Sequence, residues 1–226
     1  MLEGKKKNYM IKKLINNIKN FKKTKTPLNP SKFGDPIAEQ TKWGPAKAGG
    51  SNSCTHKLIQ TNPYTFEFKA SLKAKLAYTL FIFLGLIISS YSLFAISKNG
   101  LTAEYIIYVL ISLTFPIIGC RMLYFGTRPI VFDKISDNFW KGNQNPKQII
   151  NKTSIEQYCK ISDIHSLQII SEFISGKHTA FYSYELNLVL NDAKRINIID
   201  HGNLKKIRQD AETLSEFLGK PVWDGA

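Results

Sequence analysis

The chain has 226 residues, 43% of them hydrophobic, enough for one ordinary domain plus a membrane anchor or for two small domains. Lys and Arg total 31 against 17 Asp and Glu, a formal charge of +14, and such a balance points to nucleic acid or an anionic membrane surface as partner. Cys54, Cys120 and Cys159 are odd in number and far apart, so they propose neither a disulfide framework nor a CxxC metal knuckle.

The position of the charge decides between those partners. Residues 1 to 75 hold 16 Lys and four acids, whereas residues 126 to 226 hold 13 basic and 12 acidic side chains, so the excess is almost wholly N-terminal. Within residues 1–25, Ile11, Leu14, Ile15, Ile18 and Phe21 recur at steps of three and four, with Lys12, Lys13, Lys19, Lys22 and Lys23 around them. This pattern describes a basic amphipathic helix for an anionic leaflet, or else a solvated tail that enforces topology. The lysines come without arginine or interleaved stacking aromatics, which argues against a nucleic-acid partner.

Residues 26–75 read as a linker followed by a juxtamembrane strand. Pro, Gly, Ser, Thr and Asn dominate up to Pro63 with no sustained period, and Trp43-Gly44-Pro45 and Gly49-Gly50-Ser51-Asn52 are turn material. Cys54-Thr55-His56 supplies two potential metal ligands, too few for a zinc site. Tyr64 to Lys69 alternates apolar and polar residues as a half-buried strand does, and is expected to join a sheet built mostly from the C-terminal part.

The strongest signal lies in residues 76–125. Leu76 to Ile96 is a run of 21 residues without a charge, and at about 1.5 Å rise per residue such a run spans roughly the 30 Å of bilayer hydrocarbon. After Ser97-Lys98-Asn99-Gly100, a second apolar stretch runs from about Tyr105 to Phe125, uncharged except for Arg121 near its end, where the side chain can snorkel to the headgroups. Together they predict a transmembrane helical hairpin. Lys73 and Lys75 precede it and Arg121 and Arg128 close it as interfacial anchors, while the link carries Lys98 offset by Glu104; the positive-inside rule then places both termini in the cytoplasm. Tyr78, Tyr91, Tyr105, Tyr108 and Tyr124 fall near span ends, and Pro116 is expected to kink the second helix. Gly85 with Ser89 or Ser90 would permit close helix packing, and with it homo-oligomers.

Residues 126–226 change period. Ile130–Lys134 and Asn138–Lys141 flank Ile135-Ser136-Asp137 as a β-hairpin. The stretch from Ile155 to Lys160 is ambiguous; Ile164–Ile174 alternates as a strand. Tyr182–Leu190 puts Tyr182, Tyr184, Leu186, Leu188 and Leu190 on one face, and Asn191-Asp192 turns it into Arg195–Asp200. Asn203 is an N-cap for a helix with the stripe Leu204, Ile207, Ala211, Leu214 and Leu218, stopped by Gly219 and Pro221.

In the pieces RPIVFDK (128–134), FWKG (139–142), YELNLVL (184–190) and NIIDHGNLKKIRQDAETLSEFLG (197–219), this succession of antiparallel strands closed by one helix resembles the pleckstrin-homology-like domains found beside membrane spans in uncharacterised bacterial proteins. The resemblance implies a bent sheet plugged by the C-terminal helix, and a binding or scaffolding module without chemistry. The overall expectation is an α+β membrane protein, in which a two-helix transmembrane hairpin carries a C-terminal antiparallel β domain closed by one α-helix. It would sit in a bacterial inner membrane, with anionic lipid and a protein or a second copy of itself as partners.

No cofactor and no catalytic role are expected. HExxH, GxSxG and Walker patterns are missing, and Asp200-His201-Gly202 reads more simply as a helix-entrance turn than as a catalytic pair. Two other function classes fit the same sequence, namely an immunity protein against a membrane-acting toxin and an oligomeric transporter or channel component.

Overall fold

The computed structural model describes residues 28–47, 49–143, 146, 157–176 and 179–226. The basic segment with Lys12, Lys13, Lys19, Lys22 and Lys23, and the start of the ambiguous stretch before β5, lie outside them.

Strands β1 (His56–Asn62) and β2 (Thr65–Ala70) form an antiparallel pair, and the chain then leaves the sheet through helix α2 (Leu72–Asn99). Helix α3 (Ala103–Gly126) brings it back into β3 (Ile130–Asp133), which pairs with β2 so that Phe68 lies opposite Ile130 and Thr65 opposite Asp133. The α2–α3 hairpin is thus inserted between two hydrogen-bonded neighbours, and both of its open ends meet the same end of the β2–β3 pair. Strands β4 (Asn138–Lys141) and β5 (Gln157–Lys160) complete the antiparallel order β1-β2-β3-β4-β5. In the β3–β4 link, Asp137 takes the left-handed conformation at φ 53° and its carboxylate accepts from the Ser162 N–H and hydroxyl, tying the turn to the start of the second sheet.

The second sheet runs β8-β7-β6-β9, from β6 (Ile164–Ser175), β7 (Ala180–Leu190), β8 (Arg195–His201) and β9 (Val222–Asp224), the last parallel to β6. Helix α4 (Leu204–Leu218) begins where Asn203 Oδ1 accepts the Lys206 N–H and ends at Gly219, whose φ of 68° suits a residue without Cβ. Its buried stripe of Ile207, Ala211, Leu214 and Leu218 joins Phe68, Ile130, Phe132 and Phe139 of the first sheet and Leu167, Ile169, Leu186, Leu188 and Ile198 of the second in one core. Phe66 and Phe68 belong to that core, so the C-terminal part does not close it alone: β1 and β2 supply two of the first sheet's five strands.

The outer face of the second sheet departs from the sequence expectation. In β7 Leu186 and Leu188 of the apolar set are buried, and so is the whole alternate set of Ser183, Glu185, Asn187 and Val189. The covering layer is residues 28–47 and 49–55, expected as a linker. They are irregular, with a 3-10 turn at Pro30–Phe33 and the short helix α1 (Pro36–Gln40), yet they are bound along the sheet as a strap. Phe33 stacks on Trp43 with ring centroids 5.1 Å apart, and Trp43 leans on Trp223 of β9 at 6.2 Å. Asp35 Oδ2 lies 2.6 Å from His165 Nε2. The Gln168 amide donates to the Lys42 carbonyl, Arg195 to the Gly44 carbonyl, and Thr41 to the Ala193 carbonyl. Glu185 accepts the N–H groups of Ala46 and Lys47 at 2.8 and 3.1 Å, and Ser183 accepts that of Ser51 at 2.7 Å.

Candidate functional site at the base of the hairpin

Helices α2 and α3 have almost no amphipathic bias, because nearly every position is apolar. They are long and apolar enough to cross a membrane, and only 22% and 11% of their most apolar windows are buried, which is the reverse of a soluble core helix. What they do bury is small. Gly85, Ser89, Ser92 and Ala95 of α2 and Ser112 and Gly119 of α3 make the contact. A Cβ on Gly85 would stand 2.3 Å from Pro116 Cδ and 2.7 Å from the Ser112 carbonyl oxygen, and one on Gly119 would stand 2.7 Å from Ile82. Pro116 cannot donate to that Ser112 carbonyl, so the rigid ring and the freed oxygen face the one residue able to come close. Ser89 and Ser112 share a hydrogen bond of 2.6 Å, and Ser92 and Ser112 return their protons to the carbonyls of Ile88 and Val109. The small residues that would permit oligomerisation, Gly85 and Ser89, are therefore used inside the hairpin, while Ser90 is exposed. Helix α3 continues through Pro116 without interruption.

At the open end the expected anchors gather. Lys73 and Lys75 stand exposed on the first turns of α2, whose start is capped by Ser71. The Arg121 guanidinium lies 4.8 Å from the Phe125 ring centre, and that of Arg128 lies 4.3 Å from Phe125 and 4.9 Å from Tyr124. One residue, Ser71, joins β2 to α2, and three join α3 to β3. Hairpin and sheets are coupled without a flexible linker.

Between this base and the two sheets lies a cavity of about 220 Å3. Tyr78, Phe125 and Gly126 line it on the hairpin side; Lys47, Ser51, Thr55, His56, Lys141 and Asp200 line it from the strap and sheets, together with Ile130, Ile198 and Ile199. Lys47 is positioned by its own N–H on buried Glu185, and Lys141, at the end of β4, donates to the Ile198 carbonyl at 3.2 Å. Burial, then the charge of Glu185, pushes the Asp200 carboxyl up, against the pull of its Asn197 hydrogen bond and of Lys47 and Lys141. Burial, helped by Lys141, pushes His56 down and favours its neutral form, with the Thr55 hydroxyl 2.9 Å from Nδ1.

A second cluster lies at the start of α4. His201 Nδ1 accepts the Asn203 N–H at 3.0 Å and stands 3.5 Å from Cys54 Sγ, while His201 Nε2 and Asp210 Oδ2 are buried without a hydrogen-bond partner among the described residues. The arrangement has the outline of a thiol-imidazole-carboxylate set. Its electrostatics run the wrong way for a nucleophile: burial and the Asp210 charge raise the Cys54 thiol, and burial lowers His201, so the thiolate-imidazolium form is disfavoured. Among the described residues no three His, Cys, Asp or Glu side chains come together as a metal site. The sequence paired Cys54 with His56, whereas the fold pairs it with His201, 147 positions away.

No family model matches the chain, and neither a curated protein nor a solved structure matches it. The class of the molecule follows from its own geometry, an α+β chain with two long apolar helices, an antiparallel sheet, and a second sheet carrying one helix.

Proposed function

We propose that this is a two-span integral membrane protein of a bacterial inner membrane, with the α2–α3 hairpin in the bilayer and the sheets and both termini on the cytoplasmic side. The carrying observation is the insertion of two exposed apolar helices between neighbouring strands β2 and β3, which obliges both spans to begin and end beside the same sheet. The concentration of Lys73, Lys75, Arg121 and Arg128 at that end, against Lys98 and Glu104 near the tip, supports the cytoplasmic assignment by the positive-inside rule. On this reading residues 126–226 are a pleckstrin-homology-like module, its first sheet extended by β1 and β2, that acts by binding or scaffolding rather than by chemistry.

Cysteine accessibility in intact cells tests this reading. In a background with Cys54→Ser, Cys120→Ser and Cys159→Ala, single cysteines replace Asn99 at the hairpin tip and Asn191 in the β7–β8 turn. A membrane-impermeant maleimide is expected to label position 99 alone. Labelling at 191 would overturn the orientation, and recovery of the chain in the carbonate-soluble fraction would overturn insertion.

A further inference from the structure

The cavity at the hairpin base is lined at once by the hairpin, the strap and both sheets. Tyr78, Phe125 and Gly126 line its hairpin side, and on the sheet and strap side Lys47, Lys141 and Asp200 stand beside the apolar Ile130, Ile198 and Ile199. Its two lysines come from segments far apart in sequence, and both are anchored: Lys47 by the grip of Glu185 on its main chain, Lys141 by the Ile198 carbonyl. If the hairpin spans the bilayer, the cavity opens at the depth of the lipid phosphates, because it lies where α2 and α3 enter the sheet.

We propose that this cavity binds the headgroup of an anionic phospholipid bearing free hydroxyls, of the phosphatidylglycerol type, drawn from the leaflet around the hairpin base. Lys47 and Lys141 face the phosphodiester, giving two positive charges against the single charge of Asp200. The Asp200 carboxyl and the Ser51 and Thr55 hydroxyls meet the headgroup hydroxyls, and the acyl chains leave along Tyr78 and Phe125. A zwitterionic choline headgroup offers a bulky cation and no hydroxyl to the same groups. Arg121 and Arg128, stacked on Phe125, flank that exit and favour an anionic leaflet generally, whereas the cavity selects one headgroup. This assignment rests on the membrane reading above and adds a ligand to it.

Native mass spectrometry of the full chain in mild detergent, titrated with phosphatidylglycerol or phosphatidylcholine, tests it. One phosphatidylglycerol is expected to be retained about tenfold more tightly than phosphatidylcholine, the scale of charge-assisted hydrogen bonds. Lys47→Gln and Lys141→Gln should each reduce that preference, while Lys57→Gln on β1, away from the cavity, should leave it unchanged. Lys47 is exposed, so its variant reports even where Lys141→Gln disturbs folding. Equal retention of the two lipids, or a preference untouched by Lys47→Gln, would overturn the proposal. So would full displacement of the lipid by glycerol 3-phosphate at matched concentration, which would make the cavity a site for soluble phosphate. Carbonate extraction of the same variants separates the two readings: a chain that stays in the membrane but shows no lipid preference refutes the cavity and leaves the hairpin standing.

Discussion

The hairpin and the strapped sheet both bury polar groups, and they do it by opposite means. In α2 and α3 the hidden groups are hydroxyls, turned back onto carbonyls of their own helix or onto each other, and recognition between the helices is a matter of shape at Gly85 and Gly119. On the second sheet the buried Glu185 carboxylate and Gln168 amide, with the half-buried Arg195 guanidinium, each reach the main chain of a segment more than a hundred positions away. The difference follows from the surroundings. With the hairpin in the bilayer as proposed, the helix pair has little to gain from apolar contact and everything to lose from an unmet polar group, so it packs with small residues. The strap has too short a regular structure to satisfy its own N–H and C=O groups, and the sheet supplies what it lacks.

The sharpest break in that comparison is Gly85→Val. The added carbons would meet the Pro116 ring and the Ser112 carbonyl, neither of which can rotate away. A loss on the order of 3 kcal/mol in hairpin stability is expected, the upper range of overpacking costs. SDS-induced unfolding of the purified chain reads it; an unchanged midpoint would mean that the helices do not touch at Gly85. On the sheet side, Glu185→Ala leaves the Ala46 and Lys47 donors without their acceptor and should weaken strap docking by about 2–3 kcal/mol, as expected for hydrogen bonds to a buried charge. Glu185→Gln keeps one acceptor oxygen and should cost less. Hydrogen exchange at those two amides is the measurement, with rapid exchange in the Ala variant and intermediate rates in the Gln variant.

Much of this architecture was legible because it is periodic. The two apolar runs appear as α2 and α3, each longer at both ends; the first turn of α2 carries Lys73 and Lys75 and so does not look apolar. The stripe from Leu204 to Leu218 with its Asn203 cap appears as α4, and the strands around Asp137 and Asn191 appear as β3 with β4 and β7 with β8. Three things were hidden. Strand β1, HKLIQTN, is mostly exposed at a sheet edge and so lacks the alternation that marks a half-buried strand. Strand β9 is three residues long and follows Pro221. The strap and the cavity depend on contacts such as Lys47 with Glu185, which no local pattern encodes; the trace left in sequence is Ser183, Glu185 and Asn187 alternating with apolar residues, on a strand face to which the sequence assigns no cover.

A pH titration sharpens the sheet side further. His56 and His201 are both pushed below their ordinary value, chiefly by burial, so the folded chain binds fewer protons than the unfolded chain as pH falls through about 6.5. Stability is then fully present above that pH and is lost on acidification toward the folded-state values. Asp200 and Glu172 act in the other sense at lower pH. Burial and neighbouring carboxylates raise both, so their contribution is greatest under acid conditions and fades as pH rises through their folded values. Thermal melting of the full chain should therefore show a falling midpoint between about pH 7 and pH 6, flattened by His201→Asn. A midpoint independent of pH there would mean that the imidazoles take up protons as readily in the folded chain as in the unfolded one.

The smallest expected effect returns to the helices. Ser89→Ala removes a hydroxyl bonded to Ser112 at 2.6 Å, but Ser112 keeps its bond to the Val109 carbonyl, and alanine fits where serine did. Interhelical side-chain bonds in membranes average about 0.6 kcal/mol, so the SDS midpoint should fall only slightly. Ser89→Val fills the same site with a branched side chain, and shape predicts a loss several times larger than the alanine variant shows. If the alanine variant instead proved the worse of the two, polar pairing would hold the hairpin as it holds the strap, and the contrast between the two regions would vanish.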